Sequence, residues 1–489
     1  MKLKELIPGI QSDLEIEGIA YDSRKVQPGY LFVAIRGFNV DGHRFIPQAI
    51  ERGAVAVVHE RDYSPPPQLR EKALFIPVEN TRIALSEISS RFFGEPSKRL
   101  KVIGITGTNG KTTTSTILYR ALNMMGHKCA LMGTIQYDTV CRREKARLTT
   151  PESLEIHAMM REVLECGGEY HVMEVSSHSL ALHRVEHVDF DVAIFTNLTM
   201  DHLDFHGTME NYMEAKLKLF RNLRKDALAV INRDDPHSEE FIRASSGRVI
   251  TYSLDEKSDV RGEILENSLK EGLVISIEIE GKIYILMNRN FIGKFNAYNL
   301  LAAFATLLNL NFEPARITEI LSRVKPPRGR LTKIRNVFID YAHTPDALEN
   351  VLKTLKEVPH SRLIVVFGAG GNRDRNKRPL MGKIAEKYAD VVILTSDNPR
   401  WEDPMDIIRD IESGMERKHI VEPDREKAIL RAIDMAGKED IVLIAGKGHE
   451  DYQEIRGERV PFDDELIVRK ALNEFEIPGL NINPGDSPL

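Results

Sequence analysis

Val102-Ile103-Gly104-Ile105-Thr106-Gly107-Thr108-Asn109-Gly110-Lys111-Thr112-Thr113 sets an apolar run, a glycine-bearing turn, a lysine and two threonines in that order, and a helical pattern follows to about Met125. Strand, loop and helix in this succession form a phosphate site. Glycines let backbone N–H groups curl around phosphate oxygens, and the helix N-terminus adds positive potential. Lys111 supplies a point charge, and Thr112 a hydroxyl for Mg²⁺. The loop is a short variant, because the GxxxxGK[ST] pattern needs a glycine where Ile105 stands. A glycine-rich turn with a chance lysine is the bland alternative. The flanking strand and helix weigh against it.

Outward from this loop, apolar runs of four to six residues alternate with helical stretches, the signature of parallel α/β sheets. Three blocks separate. The first, 1–98, carries strands at Tyr30 to Ile35 and Ala54 to Val58 around a helical stretch from Phe45 to Arg52. The second, 99–327, has strands at Val102 to Thr106, His171 to Val175, Val192 to Thr196 and Ala227 to Ile231. A hairpin-like stretch at Val274 to Leu286 and a helix at Asn296 to Leu310 follow. Lys325-Pro326-Pro327-Arg328-Gly329 cannot continue a helix and marks the second boundary. The third block, 328–489, has strands at Val337 to Asp340, Leu363 to Phe367, Val391 to Leu394 and Ile441 to Ala445.

The 489 residues carry 67 Lys+Arg against 73 Asp+Glu, a net charge of −6, and the absence of long basic runs gives no electrostatic reason to expect a nucleic-acid partner. No apolar run is long enough for a membrane span, and charges interrupt Met1 to Ile19 throughout. Cys129, Cys141 and Cys166 are odd in number and form no CxxC pair, so neither a disulfide framework nor a cysteine zinc site is expected. A cytoplasmic protein with small-molecule partners fits best.

Met173-Glu174-Val175-Ser176-Ser177-His178 closes a buried strand, at the edge where ligands gather in open α/β sheets. Asp201-His202-Leu203-Asp204-Phe205-His206-Gly207 follows the next strand and is dense in oxygen and imidazole groups. Taken alone, that stretch reads equally as a metal site or as a capped helix start. Glu174, Thr112 and nucleotide phosphates make a reasonable oxygen set for Mg²⁺.

These segments, with Asp340-Tyr341-Ala342-His343-Thr344-Pro345-Asp346 and Gly446-Lys447-Gly448-His449-Glu450, occur in an order that resembles the Mur ligases over nearly the whole chain. The closest likeness is to the branch that adds the third residue of the peptidoglycan stem. The resemblance implies a three-domain α/β enzyme with an N-terminal domain for the UDP moiety, a central P-loop ATPase domain and a C-terminal Rossmann-like domain for the incoming amino acid. It implies ATP as co-substrate, UDP-N-acetylmuramoyl-L-alanyl-D-glutamate as acceptor, an acyl-phosphate mechanism, and a cytoplasmic monomer in peptidoglycan precursor synthesis. Another Mur ligase or a folylpolyglutamate-type ligase shares the ATP loop, but Gly37 to Gly42 and Asp397 to Arg400 argue against both.

Residue by residue, the likeness gives Lys111, Glu174, His202 and Lys216 catalytic roles. Thr112, Glu174, His202 and a carbamylated Lys216 form its Mg²⁺ set. ATP contacts fall to Gly107, Thr108, Asn109, Gly110, Lys111, Thr112, Thr113, Asn296, Arg330, Asp340 and His343; a helix cap is the plainer role for Asn296. Tyr21, Ser23, Phe38, Asn39 and Val40 match stretches that hold the uridine end. Thr149, Thr150, Ser176 and Arg184 match contacts to the muramoyl-dipeptide, while Leu182 stands where a polar residue is common. Arg373, Asp397, Asn398, Pro399, Arg400, Gly446 and Glu450 match the amino-acid site. A second carboxylate, present on meso-diaminopimelate and missing from lysine, suits the planar fork of Arg400. L-lysine remains the alternative substrate.

Overall fold

The computed structural model describes residues 1–37 and 40–474. Phe38 and Asn39 therefore lie outside the described residues. By compactness the chain forms two units, Met1–Ser115 with Gly126–Ile231 and Asp235–Ile250, and Thr116–Met125 with Asn232–Asp234 and Thr251–Leu489.

The first unit opens with a four-stranded parallel sheet, β1 (Gly18–Ala20), β2 (Tyr30–Val33), β3 (Ala54–Glu60) and β4 (Leu74–Val78), in sequential order. Leu31, Val33, Ala56 and Val58 face the helix Thr81–Phe92 through Leu85 and Ile88, while Phe32 and Val57 pack on Ile46 and Ala49 of the helix Ile46–Glu51.

A second sheet in this unit contains β5 (Lys101–Thr106), β6 (Cys129–Met132), β7 (Gln136–Asp138), β8 (Arg143–Lys145), β9 (Tyr170–Glu174), β10 (Val192–Phe195) and β11 (Leu228–Asn232) in the order β11-β10-β5-β9-β6-β7-β8. Strands β11, β10, β5, β9 and β6 are parallel, and β7 and β8 fold back as antiparallel strands. The central strands are buried on both faces, which explains their nearly continuous apolar runs. Their C-terminal ends put Thr106, Glu174 and Phe195 on one edge, the position at which such sheets bind ligands.

The disulfide Cys141–Cys166 corrects the expectation that the three cysteines form no disulfide framework. The β7–β8 turn returns to the end of the helix Ser153–Glu165, and the two Cα atoms lie 5.8 Å apart. Nothing in a 25-residue separation announces such a return. Cys129 is buried and free.

In the second unit, Tyr252 and Ser253 at the end of β12 (Arg248–Ser253) pair with β13 (Val260–Ser268), which leads into an antiparallel meander with β14 (Gly272–Ile279) and β15 (Lys282–Asn288). The helix Lys294–Asn309 follows, apolar on nearly all sides and correspondingly buried. A six-stranded sheet comprises β16 (Thr332–Ile334), β17 (Val337–Asp340), β18 (Leu363–Phe367), β19 (Val391–Leu394), β20 (Ile420–Val421) and β21 (Ile441–Ala445) in the order β16-β17-β21-β18-β19-β20. Only β16 is antiparallel to its neighbour. Alternate residues of its strands feed two cores, one with Phe338, Val365 and Leu443, the other with Ile339, Val366 and Val442. The hairpin β22 (Tyr452–Ile455) and β23 (Glu458–Pro461) precedes the helix Asp464–Ala471.

Candidate active site

The glycine loop sits at the C-terminal end of β5, and the helix that begins at Lys111 continues from it. Gly107 has φ 147°, and a Cβ there would run into Thr196 Oγ1, so the close approach of the loop to the end of β10 requires glycine. The loop is laced to that neighbouring strand end. Thr108 N donates to Asn197 O (2.9 Å), Asn109 N to Asn197 Oδ1 (2.9 Å), and Thr196 Oγ1 to Asn109 O (2.6 Å). Lys111 Nζ folds over the loop, donating to Gly107 O (2.8 Å) and Thr108 O (2.9 Å).

Beside the helix start, the Glu174 carboxylate is almost wholly buried and held by three donors. Thr112 Oγ1 (2.9 Å) and Thr134 Oγ1 (3.0 Å) reach Oε2, and Thr134 N (2.8 Å) reaches Oε1. Hydroxyl and carboxylate oxygens are hard donors of the kind Mg²⁺ takes. Mg²⁺ commonly binds one or two protein oxygens and completes its octahedron with water and phosphate. The donor set fits Mg²⁺.

Lys216, on the helix Met209–Arg221, is 1% exposed and donates through Nζ to Gly107 O at 2.9 Å. Burial first, and Lys111 second, hold its ammonium well below the usual lysine range. Tyr212, one turn earlier, links the elements: its ring lies 4.5 Å from Lys216 Nζ, and its hydroxyl is 3.1 Å from Thr108 Oγ1. Burial pushes that phenol up to about 12.

His202 is half exposed, has left-handed φ 52° and packs against His178 and Tyr212. Its own N–H is taken by Asp201 Oδ1, and a short helix, Leu203–His206, begins directly after it. Thus the Asp201 to His206 stretch is a helix start and also lies against Lys216's neighbour Tyr212. His206 is pushed down to about 4 by burial, and its Nε2 is 3.0 Å from Ser177 Oγ.

The residues matched to the muramoyl-dipeptide adjoin Glu174. Thr149 Oγ1 is 3.1 Å from Thr134 Oγ1, Thr150 Oγ1 donates to Glu174 O (2.8 Å), and Ser176 N donates to Thr150 Oγ1 (3.2 Å). Arg184 donates from Nη1 to Thr150 O (3.0 Å) and from Nε to Glu152 Oε1 (2.8 Å). Tyr21 joins this side through its hydroxyl on Glu155 Oε1 (2.9 Å), whereas Ser23 bonds to Gln48 and Val40 is exposed. Thr134, Tyr212, Glu152 and Glu155 were missed in the sequence. None of them carried a usable signal, since even Thr134 follows a strand, β6, of only four residues that the apolar pattern does not reveal.

In the second unit, Asp340 at the end of β17 accepts from Leu331 N (2.8 Å) and Ala342 N (2.9 Å), and burial raises its carboxyl above the usual range. The Arg330 guanidinium lies over the Tyr341 ring, and His343 is lowered by burial with Nδ1 against Tyr341 O. Asp340 O accepts from Gly446 N (3.1 Å), and Gly446, at φ 116°, leaves no room for a Cβ beside Asp397 Oδ2. Asn398, Lys447 and the partly exposed Glu450 close a triangle: Lys447 Nζ donates to Asn398 Oδ1 (3.0 Å) and Glu450 Oε2 (3.2 Å), and Asn398 Nδ2 donates to Glu450 Oε2 (2.9 Å). Pro399 packs beneath Gly371, and Arg373 and Arg400 flank Gly370. Asn296 makes its side-chain hydrogen bonds with Ile292 and Asn299. It lies inside its helix rather than at the cap and donates to Ile292 O.

Residues 15–93, 105–307 and 329–448 match, in turn, the Mur ligase family catalytic domain, the Mur ligase middle domain and the Mur ligase glutamate ligase domain. Among relatives, a UDP-N-acetylmuramoyl-L-alanyl-D-glutamate–2,6-diaminopimelate ligase of Caldanaerobacter subterraneus subsp. tengcongensis is 44% identical over 490 residues, covering 97% of this chain and all of that protein. The ligase of the same name from Aquifex aeolicus is 47% identical over 463 residues, covering 94% of each. A solved structure of a ligase of that name has a TM-score of 0.73 at 34% identity, covering 97% of this chain and 99% of the other. Loop, buried carboxylate and full-length likeness agree, and the chain belongs to the Mur ligase family.

Proposed function

We propose that this chain is an ATP-dependent amide ligase that joins meso-2,6-diaminopimelate to UDP-N-acetylmuramoyl-L-alanyl-D-glutamate in peptidoglycan precursor synthesis, releasing ADP and phosphate. The observation that carries the reading is the Glu174 carboxylate, fixed by Thr112 at the start of the phosphate-loop helix and tied through Thr134 to Thr149. Nucleotide phosphates and an acceptor carboxylate brought to one sheet edge are the two reactants of an acyl-phosphate step.

A carboxylate is a poor electrophile. Transfer of the γ-phosphoryl group to the D-glutamyl side-chain carboxylate yields an acyl phosphate, an amine of the amino acid attacks its carbonyl, and phosphate leaves through a tetrahedral intermediate. Two anions must meet, so positioning and charge neutralisation carry most of the catalysis. Lys111, now resting on its own loop, would turn to the phosphates, and Thr112 and Glu174 would hold Mg²⁺. When bound, Mg²⁺ offsets the charge of the phosphate oxygens and orients them. Arg184, braced by Glu152, and the hydroxyls of Thr149, Thr150 and Ser176 orient the acceptor, with Tyr21, Ser23 and Val40 toward its uridine end. Asn296, Arg330, Asp340 and His343 serve the nucleotide, and Arg373, Asp397 to Arg400, Gly446 and Glu450 the amino acid.

Lys216 is suited to carbamylation. Its depressed basicity favours the neutral amine, which attacks CO₂, releases one proton and becomes an anionic carbamate. That puts a negative charge beside Lys111 and supplies oxygens that a metal ion could take. We take the functional divisions as 1–98, 99–327 and 328–489, and the enzyme as a cytoplasmic monomer, in keeping with soluble UDP-linked substrates. No helix among the described residues is long and apolar enough to cross a membrane.

The test is a panel of meso-diaminopimelate, L-lysine and related amines, assayed for ADP release with the UDP-linked dipeptide and for product mass. Turnover with meso-diaminopimelate and a product heavier by one diaminopimelyl residue are expected. Turnover with L-lysine alone would overturn the substrate assignment.

A further inference from the structure

Strand β22 grips the Asp397–Arg400 tetrapeptide along its length. Gln453 Nε2 donates to Asp397 O (2.9 Å), Glu454 N donates to Asn398 Oδ1 (2.9 Å), and Arg400 N donates to Glu454 O (2.9 Å). Arg400 has left-handed φ 53°, and the backbone bond to Glu454 on one side and the bond from Arg456 N to its carbonyl on the other hold it there. Its side chain is equally constrained. Nε donates to Glu454 Oε2 at 3.0 Å, and Nη1 donates to Gly371 O at 2.8 Å. Gly370 lies so close to Nη1 that a Cβ there would come within 3.0 Å of it.

Two of the three guanidinium nitrogens are thereby anchored, and Nη2 makes no hydrogen bond among the described residues. One edge remains for a ligand, formed by Nη2 and the second proton of Nη1. A carboxylate can dock there end-on through both oxygens. An arginine on a free four-bond stem would lose rotamer entropy on meeting that carboxylate, and one already pinned at Nε does not.

We propose that Glu454 is a positioning residue for amino-acid specificity: it sets the plane of Arg400 so that only the Nη edge is offered to the second carboxylate of the incoming diamino acid. This rests on the reading of Arg400 as the receptor for that carboxylate. Glu454 is itself an anion, so its partnership has two opposite consequences that experiment separates. As a brace it aids binding. As a rival for the guanidinium it would hinder binding.

The experiment uses the full chain with Glu454→Ala, Glu454→Gln and Arg400→Ala, measuring KM and kcat for meso-diaminopimelate, KM for ATP, and thermal unfolding. Glu454→Ala is expected to raise the diaminopimelate KM roughly tenfold, with kcat within about twofold and the ATP KM unchanged. Glu454→Gln, whose amide oxygen still accepts from Nε, is expected to recover most of that loss. A diaminopimelate KM that stays the same or falls in Glu454→Ala, while Arg400→Ala raises it, overturns the bracing role alone. An unchanged KM in both overturns the assignment of Arg400 as well. Parallel losses in ATP KM and unfolding temperature in both Glu454 variants would make Glu454 a support of the hairpin, which also overturns the proposal.

Discussion

Lys111 and Lys216 donate to the same oxygen, the carbonyl of Gly107, at 2.8 and 2.9 Å. Two ammonium groups on one acceptor repel each other, and the buried one yields its proton more readily. With ¹³C-bicarbonate, a carbamate carbon resonance is expected for the native protein and not for Lys216→Met, whose turnover should fall by at least about a hundredfold. The same resonance in both proteins would refute carbamylation at Lys216.

Glu174→Gln keeps the size of the side chain and its bond from Thr112 while removing the charge. The Mg²⁺ concentration for half-maximal activity should rise, and kcat should fall by about two orders of magnitude or more. Calorimetric titration with Mg²⁺ and ADP gives an independent measure, since the metal-dependent gain in nucleotide affinity should largely vanish.

Arg400→Ala should raise the KM for meso-diaminopimelate by about two orders of magnitude, because a carboxylate would lose its charged hydrogen-bonding partner. The KM for ATP should change by less than about twofold, and steady-state kinetics with each substrate varied in turn reads both.

His157 and His171 are buried with neither ring nitrogen hydrogen-bonded among the described residues, and burial lowers them from 6.5 to about 3 and about 4. The folded state therefore holds them neutral while the unfolded chain protonates below 6.5. Their neutrality costs nothing well above that value, and stability falls as pH drops from 6.5 toward the folded values, by about 2 kcal/mol per histidine by pH 5. His171→Leu should flatten the fall in melting temperature between pH 7.5 and pH 5, although repacking sets its absolute value. Scanning calorimetry at both pH values provides the check.

Reduction of Cys141–Cys166 releases a closed segment with a separation of 25 residues. Chain-entropy arguments assign such a bridge about 3 kcal/mol. Cys141→Ser and dithiothreitol should lower the melting temperature to the same extent, and dithiothreitol should have no further effect on the variant.

Strands β17, β18, β19 and β21 fall on the residues expected from their apolar runs, because a strand buried on both faces needs no partner to be recognised. Strands β6, β7 and β8 were missed. They are three or four residues long, and their neighbours rather than their composition define them. The phosphate loop was legible for a related reason, since each of its parts is local. Thr134, Glu152, Tyr212 and Glu454 were not, because each acts on a residue tens of positions away, through a contact that only the fold creates. The cysteine pair belongs with them: odd number and the lack of a CxxC pair argued against a bridge that the β7–β8 turn makes possible.

That bridge also determines how the protein responds to a protease. Thr149 and Thr150 lie on the backbone ring that it closes, so one cleavage between residues 142 and 165 leaves a single covalent molecule. Such a nick would pass unseen on a non-reducing gel and appear as two fragments only after reduction.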